Sequence, residues 1–70
     1  MKISKGQLWR CRGGQQASVL ANNNGEVVVE IIDHRIDSSK VWSHLTWVNT
    51  HGSYNSDDSY HEYDLVDLIK

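Results

Sequence analysis

At 70 residues and net charge −2, the chain is one small domain, residues 1–70, and not a broadly basic nucleic-acid-coating protein. Its 39% hydrophobic and 23% charged content excludes an intrinsically disordered chain. No apolar run approaches the roughly 20 residues that span a bilayer as a helix, so no membrane partner is expected.

The pattern is one of strands and turns. From Gln7 to Arg12, Trp9 and Cys11 point one way and Leu8, Arg10 and Arg12 the other, which is the period of a strand. Gly13-Gly14 then supplies a tight turn, and Ala17 to Ala21 reads as a second strand. Asn24-Gly25 is a strong hairpin signal. Glu26 to Ile32 follows as the clearest strand, rich in β-branched residues that suit a pleated surface. Its valines and isoleucines fall on both faces, which predicts a central strand covered on both sides. Asp33 to Lys40, with Asp37-Ser38-Ser39, has turn composition.

Val41 to Val48 is the fourth strand, with Val41, Ser43, Leu45 and Trp47 on one face and Trp42, His44, Thr46 and Val48 on the other. A turn through Gly52 leads to a short fifth strand at Ser53-Tyr54, and Asn55 to Ser59 is a solvated loop. Tyr60 to Lys70 reads equally as a closing strand or a helical turn. Five to six short antiparallel strands at this length predict an all-β domain. It is either a small partly closed barrel, SH3-like or OB-like, or a compact sandwich.

Lys2, Lys5, Arg10 and Arg12 make the first 16 residues purely basic, whereas residues 54–70 carry five acids against Lys70. The two ends can pair, in the fold or across a dimer, but solvated faces are the expectation because surface pairs contribute only about 0–1 kcal/mol. Met1-Lys2-Ile3-Ser4-Lys5 lacks the apolar core of a signal peptide, and Cys11, alone in the chain, has no internal disulfide partner. The expected setting is a reducing cytoplasm. Without a disulfide, so small a core is expected to gain stability by homo-oligomerisation.

No catalytic signature is present. His34, His44, His51 and His61 lie on different elements without ligand spacing, so neither a metal nor another cofactor is expected. Cys11 sits between two arginines, a setting that favours thiolate, but has no local base, and a buried apolar role is expected. The aromatic residues carry more information. Trp and Tyr combine apolar area with a polar tip and are enriched, with Arg, at binding hot spots. Trp9 or Trp47 is expected in the core. Trp42 and His44, on one face of the fourth strand, are candidate contact residues, as is Tyr54. Arg10 and Arg12 are candidates to clamp the phosphate of a nucleotide-like small molecule. A single-stranded nucleic acid is the alternative partner, stacking on aromatics along a basic groove.

Three segments carry a resemblance: Gly6-Gln7-Leu8-Trp9-Arg10-Cys11-Arg12-Gly13 at the start, Thr46-Trp47 with Gly52-Ser53-Tyr54 later, and Asp64-Leu65-Val66 near the end. In this order they resemble small accessory proteins encoded by phages and prophages. The resemblance implies a compact all-β domain made inside an infected bacterial host cell. It further implies a non-enzymatic binding function: stoichiometric inhibition of a host or defence protein, or sequestration of a defence signal.

Overall fold

The computed structural model describes residues 2–33 and 42–70. Five antiparallel strands form one sheet: β1 (Leu8–Cys11), β2 (Gln16–Asn23), β3 (Glu26–Asp33), β4 (Trp42–Val48) and β5 (Leu65–Leu68). Their spatial order is β4-β3-β2-β1-β5, a four-strand meander with the last strand returned to the side of the first. The all-β expectation holds. The turn-like segment from His34 to Lys40, and Val41, lie outside the described residues.

Local chemistry explains the meander. Asn24 and Gly25 are both left-handed, at φ 52° and 97°, which closes a two-residue hairpin on Asn23 and Glu26. Trp9 and Cys11 of β1 both face inward, as their alternation predicts. Across the sheet they join Ala17 and Val19 of β2, Val27, Val29 and Ile31 of β3, Val48 of β4 and Leu65 of β5, with Ile3 completing the core. A bulge between Val19 and Ala21 lets β2 run on to Asn23, past the predicted end at Ala21.

Two expectations need correction. Central β3 is covered on one face only: Val27, Val29 and Ile31 are fully buried, whereas Val28 and Ile32 stay partly exposed because no described element packs over them. Of Trp9 and Trp47, one of which is expected in the core, Trp9 fills it. The inner face of β4 carries Val48, and Trp47 stands on the outer face opposite Val28, 64% exposed. Ser53-Tyr54 is not a strand, because side chains take the donors that a ladder would use. Asn49 Oδ1 accepts the Ser53 N–H at 3.0 Å, and Asp64 Oδ1 accepts the Tyr54 N–H at 3.0 Å. The ambiguous C-terminal segment resolves as strand β5.

Residues 49–64 leave β4 at one edge of the sheet and return to β5 at the other. They cover the inner face: Tyr63 packs against the core, and Gly52 O accepts the Leu65 N–H at 2.8 Å. The β1–β2 turn holds this segment in place. Gly13 donates to Glu62 O at 2.8 Å, and a Cβ added at Gly13 would stand 2.7 Å from both Glu62 Cβ and Gln15 Oε1. Gly13→Ala is therefore expected to destabilise by about 1–3 kcal/mol through overpacking. A lowered urea midpoint at unchanged slope checks this; an unchanged midpoint means the covering segment yields freely.

Candidate functional site

Asp64 organises the covering segment. It is 3% exposed, and its Oδ2 accepts the His61 N–H at 3.0 Å while its Oδ1 holds Tyr54. Arg12 Nε donates to the same Oδ2 at 3.2 Å. Burial alone pushes the Asp64 carboxyl up, but the Tyr54 and His61 N–H groups and the Arg12 guanidinium outweigh it and hold the carboxyl below the usual aspartate range. One carboxylate thus fixes two aromatic positions and one cation.

The rings then order one another. Tyr54 stacks on His61, with centroids 4.0 Å apart and planes 19° off parallel. Tyr63 meets Tyr54 edge-on at 5.4 Å, His61 at 5.0 Å and His44 of β4 at 5.2 Å. Pairs at such separations contribute about 0.5–1.5 kcal/mol beyond burial. His61 Nδ1 accepts the Tyr63 N–H at 3.0 Å, so the proton of the neutral ring sits on Nε2. Tyr54 also joins Trp47 in lining a shallow groove with Gly25, Glu26, Val48, Asn49 and Ser56. Asn49 is in turn bonded through Nδ2 to Asp58 Oδ1 at 2.7 Å. Two aromatic residues and one acid, Glu26, line the groove, and among the described residues no cation does.

Of the candidate residues, His44 and Tyr54 come together through Tyr63, and Arg12 joins them through Asp64. Arg12 also lies under Tyr60, its guanidinium carbon 4.2 Å from a ring that is 82% exposed. Arg10 stands apart on β1, where Asp67 Oδ2 accepts from its NH2 group at 2.8 Å. The charged ends meet in part: β5 lies beside β1 and brings two acids to two arginines, while Arg10 and Asp67 stay more than half exposed, as expected of solvated faces. The side chain of Trp42 lies outside the described residues. Cys11 is buried. No group of three or more potential metal ligands is found among the described residues, nor is any helix there long and apolar enough to cross a membrane.

Sequence reasoning missed Trp47, His61, Tyr63, Glu26 and Asp64 as parts of this surface. The Tyr60-His61-Glu62-Tyr63 run was a usable signal, with three rings in four residues. Nothing local marks Glu26 or Asp64. Neither a family model, nor a curated protein, nor a solved structure matches this chain.

Proposed function

We propose that this protein is a non-catalytic binding module that grips a basic segment of a partner protein in the groove between Trp47 and Tyr54. The carrying observation is that groove: two exposed aromatic residues beside Glu26, with no cation lining it among the described residues. Aromatic faces with a nearby carboxylate suit a lysine or arginine flanked by apolar residues. A nucleotide-like ligand is less well served, because Arg10 and Arg12 already hold Asp67 and Asp64, and a phosphate would have to displace those carboxylates. The same pairing takes Arg10 and Arg12 out of the basic track that a single-stranded nucleic acid needs, leaving Lys2 and Lys5 of the four N-terminal cations. With the resemblance to small phage accessory proteins, the reading becomes stoichiometric blocking of a host or defence protein in the bacterial cytoplasm.

A peptide-display selection tests this directly. The wild-type protein is expected to enrich peptides with a basic residue beside an apolar one. Tyr54→Ala is expected to weaken them at least tenfold, about 1.4 kcal/mol, with the fold intact by circular dichroism. Binders indifferent to Tyr54→Ala would overturn the site. Tight oligonucleotide binding that falls steeply with salt would favour the nucleic-acid alternative.

A further inference from the structure

The two edges of the sheet differ. The β5 edge is four residues long and carries the Arg10–Asp67 ion pair, charge that discourages strand addition. The β4 edge is seven residues long, Trp-Ser-His-Leu-Thr-Trp-Val, with no Asp, Glu, Lys, Arg or Pro. Its own sequence lacks the charges and proline that protect an exposed edge. Leu45 and Trp47 are 63% and 64% exposed on it.

Hydrogen-bond alternation shows which backbone groups are offered. The Asn24–Gly25 turn makes Asn23 and Glu26 a hydrogen-bonded pair, so alternate β3 residues from Glu26 onward face β2. The pattern continues across β2, where Val19 donates to Gln7 O and accepts from Gly6 N. Val27, Val29 and Ile31 therefore turn their groups to Val48, Thr46 and His44 of β4. Ser43, Leu45 and Trp47 turn their own N–H and C=O groups away from β3, toward the outer edge, where no described strand pairs with them.

We propose that β4 pairs antiparallel with β4 of a second copy of this chain, about a twofold axis at Leu45, to make one sheet of ten strands, five from each copy. This register sets Leu45 against the same residue of the second copy and Trp47 against its Ser43. Each outward-facing residue of one strand then meets an outward-facing residue of the other. The large indole lies beside the small serine, and the two leucines pack together on the outer face. The occupant is a second copy because the strand is self-complementary in size at this register and brings no like charges together. This inference shares Trp47 with the groove, but its test reads mass, not peptide binding.

Analytical ultracentrifugation over a concentration series is expected to show the 8.0 kDa chain reaching twice that mass. Leu45→Lys and Leu45→Glu are each expected to sediment as monomers, since each sets like charges against one another at the axis. An equimolar mixture of the two is expected to recover the dimer, with opposite charges now facing. Hydrogen exchange is expected to slow at the Leu45 and Trp47 amides as wild-type concentration rises. A wild type that stays monomeric at every concentration overturns the proposal. So do charged variants that remain dimeric, or a mixture that fails to reassociate while each variant keeps its monomer fold.

Discussion

Replacing Asp64 by alanine is expected to lower stability by about 3 kcal/mol and to loosen the whole aromatic surface. Hydrogen bonds to a charged group contribute about 1.5–3 kcal/mol each, and a donor left buried without its partner adds a desolvation penalty. Asp64 accepts from two backbone N–H groups and one guanidinium, so the estimate is conservative. The part due to Arg12 is small, since that side chain is 44% exposed and screened by water. For a domain of this size a 3 kcal/mol loss shifts the thermal midpoint by roughly 12–24 °C. A differential scanning measurement checks it, and a shift of only a degree or two would show that Asp64 does not organise the segment.

The same residue sets a pH dependence. Its carboxyl titrates lower in the folded protein than the ordinary aspartate value of 3.8. A group with a depressed folded value stabilises the fold above its unfolded value and loses that contribution as pH falls through the folded one. Stability is therefore expected to hold at mildly acidic pH and to decline below about pH 4. Asp64→Asn is expected to flatten that decline. A parallel loss in both proteins would assign the acid sensitivity to other carboxylates.

The second large effect separates two tryptophans. Trp9→Ala is expected to cost about 3–5 kcal/mol, because the ring is 5% exposed and its removal leaves a cavity against the sheet. Its indole N–H also donates to Gln7 Oε1 at 3.0 Å. Against a total stability of roughly 3.5–10 kcal/mol for a chain this short, that loss leaves the domain marginal or unfolded. Trp47→Ala is expected to change stability by no more than about 0.5 kcal/mol, as exposed positions do. Urea unfolding of both variants at a concentration that keeps the chain monomeric decides the matter. Comparable losses would mean that Trp47 is buried in solution, by the fold or by association.

Much of the fold was legible in local sequence. The Trp9/Cys11 alternation, the Asn24–Gly25 turn and the β-branched run of β3 each act within a few residues, so the strands and their hairpins could be read directly. The site was legible only in pieces. Tyr54 and His44 could be singled out by residue type, but Tyr63 joins them through a segment that crosses the inner face of the sheet. The face of β4 that turns inward was equally out of reach, because both of its faces carry apolar residues and only pairing with β3 chooses between them. The same holds for the charges. Arg10 and Asp67 are 57 positions apart, and Arg12 and Asp64 are 52 apart. Strand period and turn chemistry are short-range preferences that a few residues express alone. Which face is covered, and which acid meets which base, depend on where the returning chain lays β5, and only the assembled sheet decides that.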